Sequence, residues 1–121
     1  MKKFLFVSLF FLTCTSVNAK TTCSELSKIA DNNYVELDTL ELQKFNGSKG
    51  QKNYFHSAPA KSCQLNKVFI IPNDIVTAYY SFENEGETWL FVVYESKRGK
   101  KTSGWVEKKN FTFLGTTALD N

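Results

Sequence analysis

The second half of the chain alternates between short apolar segments and clusters of turn residues, a pattern typical of β-strands. The clearest segments are KVFIIP, IVTAYYSFE, ETWLFVVYE, TSGWV and NFTFLG, and a shorter one, YFHSAP, precedes them. Alternation within IVTAYYSFE predicts one shared face for four residues, Val76, Ala78, Tyr80 and Phe82. The pattern predicts a mainly β fold, a small barrel of about five strands, since closure of a barrel removes exposed sheet edges.

Residues 20–52 have a different composition, with few aromatic residues and more leucines and acids. In TCSELSKIADNN, Thr22 and Glu25 have the spacing of a capping box, and apolar residues recur on one helical face. This predicts a short helix, whereas YVELDTLELQKF fits neither period and leaves helix and extended chain both open. The polar stretch NGSKGQKN places a boundary between an N-terminal helical or extended segment, 20–52, and a barrel domain, 53–121.

Two tryptophans lie on segments that are apolar on both faces. In ETWLFVVYE, Leu90 and Val92 share one face and Trp89 lies on the other, while Trp105 alternates with Val106 in TSGWV. If the aliphatic residues fill the core, both tryptophans point away from it. They then either form an exposed aromatic platform for a partner or pack beneath the N-terminal segment, and the sequence leaves both possibilities open.

The N-terminus has the features of a secretory signal peptide. Lys2 and Lys3 precede a short apolar run, and VNA supplies small residues for cleavage after Ala19. The run is too short for a membrane span, and FLTC departs from a lipidation motif at Cys14. We therefore expect segment 1–19 to be removed and the mature protein to be exported to the periplasm, without a membrane span.

Processing also changes the charge and the cysteine count. Without Lys2 and Lys3, 13 basic residues face 12 acidic ones, a net charge of +1, which is not that of a nucleic-acid-binding domain. The two remaining cysteines, Cys23 and Cys63, form an even pair in an oxidising compartment, which predicts a disulfide. In the chain-entropy model, such a bond closing about 40 residues contributes on the order of 4 kcal/mol.

Three motifs resemble the bacterial SH3-like domains of exported proteins over residues 53–114. They are Ser-Ala-Pro at 57–59, Trp-x-x-Val at 89–92 and Gly-Trp-Val at 104–106. Eukaryotic SH3 domains bind proline-rich helices with a proline and a tyrosine near the last turn, where this chain has Glu107 and Phe111. The resemblance therefore implies a cell-wall peptide or a periplasmic protein as partner, rather than a proline-rich helix.

The sequence contains no recognisable catalytic, metal-binding or cofactor-binding motif, so we expect a protein that is not an enzyme. His56 is the only histidine, and the predicted disulfide removes the thiols that a Cys–His nucleophile would need. A single histidine with scattered acids gives no metal-ligand spacing, and no glycine loop of the phosphate-binding type is present.

Binding is the remaining function class, with two candidate surfaces. The first is aromatic and consists of Trp89, Trp105 and the nearby Tyr79 and Tyr80, which we expect to engage a cell-wall peptide. The second is a charged contact patch, made of Lys97, Arg98, Lys100 and Lys101, which suits an acidic partner but also fits a solvated hairpin tip. The alternative function is a periplasmic inhibitor or immunity protein that blocks a wall hydrolase or another effector.

Overall fold

The computed structural model describes residues 21–117, so the predicted signal peptide lies outside the described residues. It contains one α-helix, α1 (Cys23–Asn33), and two short 3-10 helices, Lys61–Cys63 and Lys108–Asn110. The seven strands are β1 (Val35–Phe45), β2 (Asn53–His56), β3 (Gln64–Ile70), β4 (Ile75–Asn84), β5 (Glu87–Glu95), β6 (Lys101–Glu107) and β7 (Phe111–Thr117).

The capping box predicted for α1 forms. The Thr22 hydroxyl accepts from the Glu25 N–H at 3.1 Å, and the Glu25 carboxylate accepts from the Thr22 N–H at 3.4 Å. These two bonds satisfy amides that have no partner in the first helical turn. The helix prediction is confirmed.

All seven strands form one antiparallel sheet in the order β3-β2-β6-β5-β4-β1-β7. The prediction of a mainly β fold is confirmed, but the expected barrel of about five strands is wrong in its strand number. Over residues 21–117 the sheet is not closed, because β3 and β7 each have a neighbour on one side only.

The additional strand is β1, in the segment for which the sequence allowed both helix and extended chain. Its side chains become more buried along its length, from an exposed Val35 to a buried Phe45. Gln43 is 1% exposed and donates from Nε2 to Glu41 Oε1 at 3.1 Å. Polar side chains at interior positions hide the period-two pattern, which is why the sequence did not identify this strand. β1 pairs with both β4 and β7.

The sheet packs apolar side chains on both faces. On the first face, a core of buried residues is formed by Phe45, Phe55, Ile70, Val76, Ala78, Leu90, Val92 and Val106. On the opposite face, Trp89 and Trp105 pack with Ala30 of α1. The predicted separation of Trp89 from Leu90 and Val92 is therefore confirmed.

A β-bulge in β4 corrects the expected alternation of this strand. The register with β5 shifts between Ala78 and Tyr80, so that Val76 and Ala78 face the first core. Tyr80 and Phe82 instead pack against the tryptophan cluster on the other face. A bulge inserts one residue into a strand and so reverses the side on which the following side chains lie.

The predicted disulfide joins Cys23, the first residue of α1, to Cys63 in the turn before β3, with the two Cα atoms 5.7 Å apart. Cys63 is buried with Ala58 and Ala60, and Leu26 of α1 packs against them. The covalent bond and this small apolar cluster therefore attach the N-terminal end of α1 to the rest of the domain.

Replacing both cysteines, Cys23→Ala and Cys63→Ala, should lower the free energy of unfolding by about 4 kcal/mol, because the bond restricts the unfolded chain. Urea titrations of the oxidised protein and the double variant measure this loss. A reductant should destabilise the wild type and leave the variant unchanged. Equal stability of the oxidised protein and the variant would contradict the expected contribution.

Gly104 is required because β2 and β6 approach closely. A Cβ atom at this position would lie 3.0 Å from Phe55 Cβ and 3.1 Å from the His56 carbonyl oxygen. Gly104→Ala should therefore cost about 1–3 kcal/mol of stability, as overpacking of a core does. Ser103→Ala, at the exposed neighbouring position, is the control and should change the urea midpoint little. A Gly104→Ala midpoint equal to that of the control would refute the steric argument.

Candidate binding site

The tryptophans do not form an exposed platform. Trp89 is fully buried and Trp105 is 2% exposed, and Trp89 Nε1 donates to the Asn84 carbonyl oxygen at 3.2 Å. Ala30 of α1 packs against both rings. Of the two possibilities that the sequence left open, the structure shows the second, in which the N-terminal helix covers this face of the sheet.

The cluster beneath α1 is extended by further aromatic rings. Tyr80 stacks on Phe91 with a centroid distance of 4.8 Å and on Tyr34 at 4.1 Å. Trp105 meets Tyr80 and Phe91 edge to face, each at 5.6 Å. Burial raises the pKa of the Tyr80 hydroxyl above its ordinary value, and the nearby Asp31 carboxylate adds to the effect. Contacts between aromatic rings contribute stability in addition to the burial of apolar surface, and here they strengthen the attachment of α1.

Of the four residues predicted to bind a ligand through aromatic rings, only Tyr79 is substantially exposed, at 36%. It lies at the β4 bulge, between Ala78 and Tyr80. Because the other three pack beneath α1, the structure brings them together as a core and not as a binding surface.

His56 is buried on β2, which lies between β3 and β6 in the sheet. It is 7% exposed, and its Nδ1 donates to the Trp105 carbonyl oxygen at 3.0 Å. Its ring lies edge-on to Trp89, with the centroids 4.9 Å apart. Burial lowers the pKa of His56 below its ordinary value, an effect that the hydrogen bond to Trp105 and the Glu107 carboxylate partly oppose. The imidazole thus acts as a neutral link between β2 and β6.

An ion-pair cluster lies at the end of β6. Lys109 Nζ donates to Glu87 Oε1 at 3.0 Å and lies 3.0 Å from Glu107 Oε2. These hydrogen bonds and charges raise the pKa of the exposed Lys109 ammonium. The cluster connects the start of β5 to the short helix Lys108–Asn110, which leads into β7.

A cleft of about 600 Å³ lies between two loops, residues 46–52 and residues 71–74. Its lining consists of Gly47, Lys49, Gly50, Gln51, Lys52, Ile71, Pro72 and Asn73. Its volume is within the range of small-ligand sites, and more of its surface is apolar than polar. The sequence pattern indicated loop 46–52 only as part of a polar boundary stretch.

Hydrogen bonds order both walls of the cleft, and backbone bonds hold turn 71–74 to the end of β1. The Phe45 N–H donates to the Asp74 carbonyl oxygen at 2.9 Å, and the Asn73 N–H donates to the Phe45 carbonyl oxygen at 3.1 Å. The turn is closed by Asp74 Oδ2, which accepts from the Ile71 N–H at 2.9 Å. In the other wall, Gln51 Oε1 accepts from the Ser48 N–H at 2.7 Å. The cleft is therefore pre-organised rather than formed by mobile chain.

Three exposed apolar side chains lie on or beside turn 71–74 in the chain, and Ile71 among them lines the cleft. Phe69 is 39% exposed, Ile71 is 52% exposed and Ile75 is 47% exposed, whereas Ile70 between the first two is buried. Lys52 Nζ lies 4.6 Å from the centre of the Phe69 ring. β3, which contains the first four residues of the apolar run KVFIIP, is an edge strand, and several of its side chains remain accessible.

The charged contact patch lies at the same end of the sheet as turn 71–74. β4 begins at Ile75, and its Thr77 is paired with Val93 of β5. β5 ends two residues after Val93, at Glu95, which is paired with Lys101 at the start of β6. The start of β4 and the tip of the β5–β6 hairpin therefore lie at the same end of the sheet. All four cations of the patch are exposed. Within residues 21–117 the ion pairs all involve Lys109, so the patch has no acidic partner there.

A second accessible feature is the free edge of β7. Phe113 is 54% exposed and Leu114 is 46% exposed, and the strand FTFLGTT contains no charged residue. Charged side chains usually protect sheet edges from pairing with other strands. This edge lacks that protection.

No family model, curated protein or solved structure matches this chain. In the part of the chain that the structure describes, no group of three or more His, Cys, Asp or Glu residues is placed to hold a metal ion. No helix among those residues is long and apolar enough to cross a membrane. Function must therefore be argued from the geometry of the exposed surfaces.

The lowered pKa of His56 predicts a specific pH dependence of stability. The pKa of His56 is higher in the unfolded chain than in the folded protein, so protonation favours unfolding. The free energy of unfolding should therefore fall as the pH drops below 6.5. His56→Asn retains a donor for the Trp105 carbonyl oxygen but does not titrate. Urea titrations from pH 8 to about pH 5 should therefore show that acidification lowers the free energy of unfolding less in the variant than in the wild type. Parallel curves would show that His56 keeps its ordinary pKa in the fold.

Proposed function

We propose that this protein is a non-catalytic SH3-like binding module of the bacterial periplasm whose ligand is a cell-wall peptide, bound in the cleft between residues 46–52 and 71–74. The observation that carries the proposal is a pre-organised cleft, lined in part by Ile71 and Pro72, that is open to solvent. Because the walls are already ordered, the protein loses less conformational entropy when a ligand binds. The binding site thus differs from the aromatic platform that the sequence indicated.

The strand pairing supports the SH3-like part of this proposal. The two tryptophan motifs lie on adjacent strands, where Phe91 is paired with Trp105 and Val92 with Gly104. β4, β5 and β6 form a consecutive antiparallel meander, and β1 pairs with both β4 and β7. The resemblance over residues 53–114 spans β2 to β6 and the first part of β7, and β1 adds a further strand between β4 and β7.

The disulfide supports an exported location. Such bonds persist in oxidising compartments, of which the bacterial periplasm is one. Cys23 and Cys63 are joined within a small apolar cluster that holds α1 in place.

A second candidate function is an inhibitor or immunity protein that blocks an exported effector. The observation that favours it is the uncharged edge of β7 with its exposed Phe113 and Leu114. An extended segment of a partner protein can add to such an edge through backbone hydrogen bonds. The two functions therefore use different surfaces and can be separated by mutation.

Co-sedimentation of the oxidised protein with purified cell-wall sacculi tests the proposal. The wild type should pellet, and Ile71→Ser should reduce pelleting several-fold because it removes apolar contact inside the cleft. Ile29→Ser is the matched control, since Ile29 on α1 is 45% exposed and Ile71 is 52% exposed. Phe113→Ser, on the β7 edge, should also pellet like the wild type.

A wild type that stays in the supernatant would refute wall binding. Loss of pelleting in Phe113→Ser but not in Ile71→Ser would place binding at the β7 edge instead. Circular dichroism of each variant confirms that it is folded before it is compared.

A further inference from the structure

We propose that the cleft selects acidic peptides, with a ligand carboxylate paired to Lys52 and an apolar ligand side chain packed on Ile71 and Pro72. This rests on the proposed function, since it assigns a ligand chemistry to the same cleft. Two lysines, Lys49 and Lys52, line the cleft, and among residues 21–117 no acidic side chain does. Charge complementarity therefore favours a negatively charged ligand over a neutral or basic one.

Lys52 is held where a ligand carboxylate can reach it. Its ammonium lies 4.6 Å from the centre of the Phe69 ring, and Tyr54 supports that ring edge to face with a centroid distance of 5.6 Å. A cation–π contact positions the charge but leaves its hydrogen-bond donors free. Lys52 itself is exposed, so an incoming carboxylate does not have to displace a protein partner.

The carboxylate of turn 71–74, Asp74, keeps its negative charge but does not line the cleft. Asp74 Oδ2 accepts from the Ile71 N–H at 2.9 Å, and this bond closes the turn that forms one wall. Asp74 therefore has a structural partner that is not a lysine of the cleft.

The charged contact patch extends the positive potential at this end of the sheet. Lys97, Arg98, Lys100 and Lys101 surround the β5–β6 hairpin tip, and the strand register places that tip at the end where β4 begins. Several like charges at one end attract acidic ligands over a distance of about a Debye length, roughly 8–10 Å in physiological salt. The cleft supplies the apolar contact, Lys49 and Lys52 supply the charge preference, and the patch adds attraction at longer range.

Fluorescence anisotropy with two labelled peptides tests the inference on the oxidised protein. The first peptide has six residues with two glutamates flanking one leucine, and the second replaces both glutamates by glutamines. The glutamate peptide should bind more tightly, and Lys52→Gln should weaken its binding by about two- to five-fold, as loss of one exposed ion pair does. Lys28→Gln, at an exposed position of α1, is the matched control and should bind like the wild type.

Two further measurements separate charge from apolar contact. The preference for the glutamate peptide should largely disappear at about 0.5 M salt, because exposed charges are screened. Ile71→Ser should weaken the binding of both peptides. Equal affinities for the two peptides, no binding of either, or an unchanged affinity in Lys52→Gln would each overturn the inference.

The outcomes also distinguish this inference from the proposed function. Glutamate-peptide binding at the cleft without pelleting on sacculi would support acidic selectivity and refute the wall ligand. Pelleting on sacculi that depends on Ile71, combined with equal affinity for the two peptides, would support the wall ligand and refute acidic selectivity.

Discussion

Strands β5 and β6 carry large apolar side chains on both faces, and this constraint determines how the rest of the domain is arranged. One face is buried in the core that includes Leu90, Val92 and Val106. The other face carries Trp89 and Trp105, which a single sheet would leave in water. Burial of two indoles is a large favourable term in so small a domain. A second layer is therefore needed, and α1 supplies it.

The second layer is short and is secured at specific points. α1 has 11 residues, and Ala30 is the one buried side chain that it contributes. A small residue at this point lets the helix approach the aromatic rings, while the bond from Cys23 to Cys63 restrains its first turn. The aromatic stack of Tyr34 on Tyr80 holds the chain just after the helix. The helix is thus fixed at both ends and packed at its centre.

The sequence predicted the parts of the fold that depend on local patterns. The capping box of Thr22 and Glu25, the two faces of the Trp89 strand and the cysteine pair all follow from spacing and composition. The β4 bulge at Tyr79 could not be predicted, because its cause is the register with neighbouring strands. The candidate site was missed for a related reason: the cleft joins two loops far apart in sequence through the backbone of Phe45.

The placement of the indoles has a practical consequence for studying the protein in solution. Both tryptophans of the chain belong to the cluster under α1, and neither lines the cleft. Intrinsic tryptophan fluorescence therefore reports the docking of α1 and the hydration of that cluster. It is insensitive to direct contact at the cleft, so a ligand that leaves the emission spectrum unchanged can still be bound there. Detecting occupancy of the cleft requires a label on the ligand or a reporter placed in loop 46–52.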